Sequence, residues 1–150
     1  MSSMPTHTKL CGLFACLLSV SSISRADSLV SLDVNDEPVE NGKTLKMEFR
    51  EIKRTAKEST VRVVFHSGGS VSSSMFVVRG SCAIAKSRGM QFFRNTNEVE
   101  IDGSTTEYTI AFSNSRNDSA LKVQPSGGSA DDDEDGVFST GECRMLGFMQ

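Results

Sequence analysis

The first 26 residues set the strongest limit on what this chain can fold into, because they have the pattern of a secretory signal peptide. Lys9 supplies a positive charge, residues 10–20 are almost wholly apolar, and Ser24 and Ala26 place small side chains at a cleavage site. The apolar run is too short to span a bilayer, which requires about 20 apolar residues. We therefore predict that residues 27–150 form one domain that works outside the cytoplasm.

Export predicts a periplasmic or secreted protein, and a lipid anchor at Cys16 is the alternative. Residues 13–16 offer a short lipid-attachment pattern, although Phe14 fits it poorly and the apolar run continues beyond Cys16. No later segment is apolar enough to cross a membrane, so the mature chain is predicted to have no transmembrane segment.

The charge of the mature chain argues against nucleic acid as a partner. Removing Lys9 and Arg25 from the 16 basic residues leaves 14 against 19 acidic ones, a net charge of −5. Non-specific nucleic-acid binding depends on dense Lys and Arg, which this chain lacks. A protein partner is the prediction that remains.

Two cysteines predict a single disulfide. Cys11 and Cys16 leave with the predicted signal, and Cys82 and Cys143 remain as a lone pair. In an oxidising compartment such a pair is expected to be bonded. The bond would close a loop of about 60 residues, which is worth roughly 4 kcal/mol in the chain-entropy estimate.

Alternation of apolar and polar residues predicts several strands. Residues 28–34, 61–66 and 90–94 have this alternation or a β-branched and aromatic content. Residues 43–57 fit both a strand and a helix, and we favour a strand that becomes irregular or helical after Arg50.

A hairpin is predicted further along the chain. Residues 96–101 and 105–113 flank Asp102-Gly103, a strong turn signal for two paired strands. The second of these strands alternates so that one face is apolar. Residues 120–123 offer one more short strand.

One main helix is predicted over residues 71–88. Apolar residues recur at helical spacing and form one stripe: Val71, Met75, Val78, Cys82 and Ala85. Gly89 can end the helix. Together with the flanking strands it forms a βαβ-like unit, whose crossover would be right-handed if the strands are parallel. Residues 137–149 are apolar enough to dock, with Cys143 holding them against the helix. The predicted fold class is α+β, a small antiparallel or mixed sheet with one main helix, one disulfide and a loose acidic loop at 125–136.

Residues 61–93 resemble a pattern found in small exported bacterial envelope proteins and lipoproteins of unknown function. In that pattern a strand leads into a Ser-initiated helix and then into an aromatic strand. The residues that carry the resemblance are Phe76, Arg79, Gly80, Ala85, Gly89, Phe92 and Phe93. The resemblance implies a bacterial envelope setting and an α/β unit, and it implies no activity.

Residues 131–142 match the twelve-residue calcium loop pattern position for position. The predicted ligands are four carboxylates and one backbone carbonyl: Asp131, Asp133, Asp135, Val137 and Glu142. Pro125 and two glycines precede the loop where an EF-hand has a helix, so a solvated acidic linker is the alternative. Calcium is the one cofactor that the sequence predicts.

Residues 43–62 carry seven Lys or Arg against three Glu. This segment could meet an acidic partner, or it could be a solvated face or an internal partner of the acidic loop. Catalysis has little support, because His66 is the only histidine of the mature chain and no Gly-x-Ser-x-Gly turn is present.

These observations favour a small exported binding protein, of an inhibitor or immunity type, in the bacterial envelope. A calcium-stabilised structural or surface module is the alternative. An enzyme that hydrolyses envelope polymers is a third hypothesis, which would need His66 or paired carboxylates in a cleft.

Overall fold

The computed structural model describes residues 28–39, 42–122 and 136–149. The predicted signal peptide and the acidic loop up to residue 135 therefore lie outside the described residues. The strands are β1 (Ser31–Pro38), β2 (Thr44–Arg54), β3 (Glu58–Ser67), β4 (Phe92–Asp102), β5 (Thr105–Ser113) and β6 (Phe138–Ser139). The helices are α1 (Ser70–Arg88) and α2 (Thr140–Met145), and a 3-10 turn covers Ser119–Leu121.

The six strands form one sheet in the order β1-β2-β3-β5-β4-β6, and each neighbouring pair is antiparallel. The α+β class and the single main helix are confirmed, but the sheet is larger than predicted and curls into a half-barrel. β3 and β4 run parallel, as the βαβ-like unit allowed, yet they are not neighbours, because β5 is inserted between them.

The core lies between α1 and one face of the sheet. Phe49 of β2 and Ile110 and Phe112 of β5 are fully buried there, against Ile84 of α1. Gly80 allows a close approach at the centre: a Cβ at this position would lie 2.4 Å from the ring of Phe49. A larger residue would therefore push the helix away from the sheet.

The strand favoured for residues 43–57 is observed, with an irregularity after Arg50, whereas the helical option is wrong because β2 continues as a strand to Arg54. The inward alternation of Phe49 is carried on by Glu51, which is buried and accepts a hydrogen bond from the backbone N–H of Val30 (2.9 Å). A register shift between Glu51 and Lys53 then absorbs one residue as a bulge. The helical spacing in this segment is thus coincidental.

The strand predicted at residues 120–123 is also wrong, because Ser119–Leu121 forms a 3-10 turn. Asp118 caps it by accepting a hydrogen bond from the N–H of Ala120 (2.9 Å). Leu121 packs with Ala111 in a second apolar cluster, on the face of β5 opposite to Phe112. The end of β5 is therefore buried on both faces, whereas the alternation predicted one.

Candidate functional site on the outward face of α1

The apolar stripe predicted for α1 faces away from the sheet. The residues that meet the sheet, Phe76, Gly80 and Ile84, recur at every fourth position. At about 3.6 residues per turn, Val71 and Met75 then lie on nearly the opposite side. Val71 is 74% exposed and Met75 is 36% exposed, which is unusual for the apolar stripe of a packed helix.

The carboxyl-terminal half of this stripe is covered by the end of the chain. The predicted disulfide between Cys82 and Cys143 is confirmed, and it fixes α2 beside α1. The chain then turns back, with the N–H of Phe148 bonded to the carbonyl of Cys143 (2.9 Å). Cys82 is fully buried as a result, whereas the amino-terminal half of the stripe is left open among the described residues.

A cavity of about 180 Å³ lies beside the open half of the stripe. Apolar side chains form most of its wall, and one acidic and one basic group stand in it: the lining includes Val39, Leu45, Met75, Phe148, Glu37 and Arg79. Arg79 makes no ion pair with any residue in the part of the chain that the structure describes. Its guanidinium is thus placed to meet a carboxylate from outside.

A second cavity, of about 150 Å³, lies on the other side of α1. It is lined mainly by apolar and hydroxyl side chains, among them Met47, Val63, Phe65, Ser73, Val77 and Tyr108. Burial, and then the nearby charge of Glu98, raises the pKa of Tyr108, so this hydroxyl stays protonated and can donate a hydrogen bond. Both cavities are smaller than the roughly 300–1,000 Å³ of sites for metabolites and cofactors, and each suits a single side chain.

Of the predicted calcium ligands, Asp131, Asp133 and Asp135 lie outside the described residues. Val137 is buried in the second apolar cluster. The carboxylate of Glu142 accepts hydrogen bonds from the N–H (2.6 Å) and hydroxyl (2.8 Å) of Ser139, which form a capping box at the start of α2. These bonds, first from the hydroxyl and then from the N–H, lower the pKa of Glu142.

Within residues 28–39, 42–122 and 136–149, no three His, Cys, Asp or Glu side chains come together as a metal-binding group. Calcium binding stays a prediction, because most of its carboxylates are not described. His66 lies exposed on β3, where its Nε2 is 3.3 Å from the Glu48 carboxylate. Among the described residues, this surface contact with Glu48 is the side-chain interaction of His66.

The basic segment 43–62 finds its acidic partners within the sheet region. Arg50 pairs with Asp33, and Arg62 pairs with Glu107 (2.7 Å). These contacts place Arg50 and Arg62 among the solvated pairs of the outer face, where each is worth little stability.

Sequence analysis identified the stripe of α1 but missed the walls of both cavities. Glu37, Phe65 and Phe148 come from distant parts of the chain: the sheet brings Glu37 and Phe65 to α1, and the disulfide-linked end of the chain brings Phe148. No local sequence pattern marks these residues.

No helix in the described segments is long and apolar enough to cross a membrane. Comparison of the chain with protein families, curated proteins and solved structures finds no match.

Proposed function

We propose that this protein is a small exported binding protein that holds a protein partner against the outward face of α1. The observation that carries the proposal is the uncovered half of the apolar stripe, Val71 and Met75, between two side-chain-sized cavities. Exposed apolar groups that are contiguous with pockets and rimmed by polar residues are typical of protein interaction sites.

The two cavities indicate the chemistry of the partner. An apolar side chain would fill the cavity beside Met75, with a neighbouring carboxylate directed toward Arg79. The disulfide holds α2 beside α1, and Phe148, which follows α2 and lines this cavity, is in place before any partner arrives. A wall that is already ordered reduces the entropy lost on binding.

An inhibitor or immunity-type role is the form of this proposal that the size, the predicted export and the preformed surface support best. Such a protein acts by occupying the surface of a toxic exported enzyme, and it needs no catalytic group of its own. The predicted setting in a bacterial envelope comes from the signal peptide and from the resemblance of residues 61–93.

The test is capture of a stoichiometric partner from envelope extracts at low salt, with wild type and the double variant Val71→Asp/Met75→Asp. Two charges in the anchor region should weaken binding by about 30-fold or more, the effect of losing a binding hot spot. Ile52→Asp is the matched control, because Ile52 is an exposed apolar residue of β2 outside both cavities. Circular dichroism verifies that each variant is folded.

Equal binding by wild type and by the double variant would contradict the proposed surface. Recovery of no partner by wild type at low salt would contradict partner binding itself. Loss of binding by Ile52→Asp alone would move the interface to the outer part of the sheet.

A second candidate function, a calcium-stabilised surface module, is supported by the position of α2. The helix begins at Thr140, the tenth position of the predicted loop, with Ser139 and Glu142 at the ninth and twelfth positions. Extracellular calcium modules bind at about 10⁻⁴–10⁻³ M, so the melting temperature of residues 27–150 should rise in millimolar calcium over a chelator control.

The variant Glu142→Gln separates calcium binding from capping. Gln can complete a capping box as Glu does, so in chelator the melting temperature should fall only by the contribution of the Glu142 charge. The calcium-dependent rise should be lost, because the closing bidentate carboxylate is gone. Absence of any rise in wild type would make the acidic run a linker.

A further inference from the structure

The outer edge of β4 is open along most of its length. β5 pairs with one side of β4 from Phe92 to Asp102, whereas β6 pairs with the other side only at Phe92 and Phe93. Among the described residues no other strand pairs with this side of β4, so from Asn95 onward its outward backbone groups have no ladder partner there. An open edge of this kind is a template for an added strand.

Two hydrogen bonds establish which residues face the open edge. The N–H of Phe112 donates to the carbonyl of Lys57 (2.8 Å), so the even-numbered residues of β5 face β3 and the odd-numbered ones face β4. On the far side of β4, the N–H of Thr140 donates to the carbonyl of Gln91 (2.9 Å), so the backbone of Gln91 faces outward. The next residue, Phe92, then faces β5, where it is opposite the odd-numbered Ser113.

The register of the hairpin then assigns the outward groups. Val99 of β4 is opposite Glu107 of β5, an odd-numbered residue, so the backbone of Val99 faces β5. The N–H and C=O groups of the residues on either side, Glu98 and Glu100, are therefore directed to the open edge. An incoming strand would bond to these two residues.

We propose that the open edge of β4 accepts an extended basic segment of a protein partner as an added antiparallel strand. Lys or Arg of that segment would lie opposite Glu98 and Glu100, and an apolar residue between them would meet Val99. Val99 is 45% exposed and Ile101 is 53% exposed, so both apolar side chains are free for such contacts. Opposite charges and apolar pairs across strands are the contacts that stabilise an added strand.

Charge excludes two other occupants of this edge. A second copy of the chain, paired edge to edge, would place Glu98 and Glu100 against the same residues of the copy, and like charges directly opposite each other are destabilising. The chain's own acidic run, 131–135, has the same sign. A strand rich in Lys or Arg is the complementary one.

Irregularities limit the site to a short stretch. Register shifts between Asn95 and Asn97 and between Glu100 and Asp102 leave residues 97–100 as the regular part of the edge. Bulges and charges are the devices by which proteins prevent unselective strand pairing. Here they leave two outward residues of one charge, which select for a partner of the opposite charge.

The probe is a soluble peptide of about eight residues that alternates Lys and Val, long enough to cover one edge strand. Its control is the same peptide with Glu in place of Lys. Binding is followed by hydrogen exchange at the backbone amides of Glu98 and Glu100 in the full mature protein. The Lys peptide should slow this exchange, and it should bind about fivefold tighter than the Glu peptide, as two cross-strand charge pairs allow.

The variant Glu98→Lys/Glu100→Lys provides the decisive comparison. It should reverse the preference, so that the Glu peptide binds tighter and protects the same two amides. The double variant Val71→Asp/Met75→Asp should bind the Lys peptide as wild type does, which separates this site from the face of α1. Equal binding of both peptides, an unreversed preference, or protection at other amides would each overturn the proposal.

Discussion

At the scale of single residues, a buried carboxylate joins the first three strands. The side chain of Glu51 is 0% exposed and accepts hydrogen bonds from Arg54 Nε (2.7 Å), Ser59 Oγ (2.6 Å) and the N–H of Val30 (2.9 Å). Burial alone would raise the pKa of Glu51, but the hydrogen bonds and the charge of Arg54 together lower it. Glu51 is therefore ionised at neutral pH and stabilises the fold in that form.

The variant Glu51→Gln is expected to lose about 2–4 kcal/mol of the free energy of unfolding at pH 7. The amide keeps the shape of the side chain but removes the carboxylate that pairs with the guanidinium of Arg54, which is 14% exposed. Urea denaturation measures the loss. Asp33→Asn is the control, because it removes an exposed pair with Arg50 and should cost less than about 1 kcal/mol. Similar losses of stability in both variants would show that the buried Glu51 contributes no more than an exposed carboxylate.

Sequence analysis did not identify Glu51, and the reason is physical. For the charges in residues 43–62 the sequence leaves a solvated face, an internal partner of the acidic loop and an acidic partner open, and exposure is the usual state of Lys, Arg and Glu. Yet Leu45, Met47 and Phe49 alternate inward, and the same period of two directs Glu51 to the core. A buried charge needs hydrogen-bond partners, and those of Glu51 are Val30 just before β1, Arg54 farther along β2 and Ser59 of β3.

At the scale of elements, the packing of α1 on β2 depends on one glycine. Gly80→Ala would gain about 1 kcal/mol of helix propensity, but its Cβ would lie 2.4 Å from the fully buried ring of Phe49. Overpacking of this kind costs about 1–3 kcal/mol, so we expect a net loss of stability in urea denaturation.

The control for Gly80→Ala is Ser74→Ala, which gains helix propensity on an exposed part of the same helix. Its stability should change by less than about 0.5 kcal/mol. A Gly80→Ala protein that is more stable than wild type would mean that the ring of Phe49 can move aside at little cost.

The docking of α2 depends on the disulfide more than on its own contacts. α2 has six residues, of which only Cys143 is buried. The double variant Cys82→Ala/Cys143→Ala should lose about 2–4 kcal/mol of global stability. The amides of Leu146 and Phe148, bonded to Glu142 and Cys143 respectively, should also exchange faster with solvent.

Hydrogen exchange with and without the bond tests this prediction. Removing the disulfide raises the entropy of the unfolded chain, and this alone would lower the global stability. Exchange at the amides of Leu146 and Phe148 therefore tests whether the disulfide holds α2 in place. Unchanged exchange at Leu146 and Phe148, once corrected for global stability, would show that α2 docks without the staple.

The helix itself could be predicted from sequence, but its orientation could not. Residues 71–88 were predicted and Ser70–Arg88 is observed, because apolar spacing and the αL glycine at position 89 are local signals. An apolar stripe in the sequence does not indicate which element packs against it. In this protein α2 covers half of the stripe, while the sheet takes the side that carries Phe76 and Gly80.

At the scale of the whole molecule, the hairpin was predictable and the order of the strands was not. Asp102-Gly103 signals the turn between β4 and β5, and both strands are observed. The pairing of β5 with β3 joins residues about 50 positions apart, such as Val61 and Tyr108, and has no local signal. The cavity lined by Val63 and Tyr108 depends on that pairing, and the cavity beside Met75 depends on Phe148 from the end of the chain, so the candidate site could be predicted only as a helix face.

Two ionised carboxylates in separate regions predict acid sensitivity of the whole fold. The folded pKa values of Glu51 and Glu142 lie below the ordinary value of 4.5. A lowered folded pKa means that the unfolded chain binds protons first, so stability is complete above about pH 4.5 and is lost as the pH falls through the folded values. We expect the free energy of unfolding to be level near neutral pH and to fall below that point.

Urea denaturation between pH 7 and pH 3 measures this dependence in wild type and in Glu51→Gln/Glu142→Gln. The double variant should be less stable at pH 7 and should lose less stability on acidification, because two of the groups that take up protons are gone. The two sites share no residue, one joining β1, β2 and β3 and the other capping α2, so their effects should add. Parallel pH curves for the two proteins would instead assign the acid response to other carboxylates. In that case the lowered pKa values of Glu51 and Glu142 would have equal counterparts in the unfolded chain.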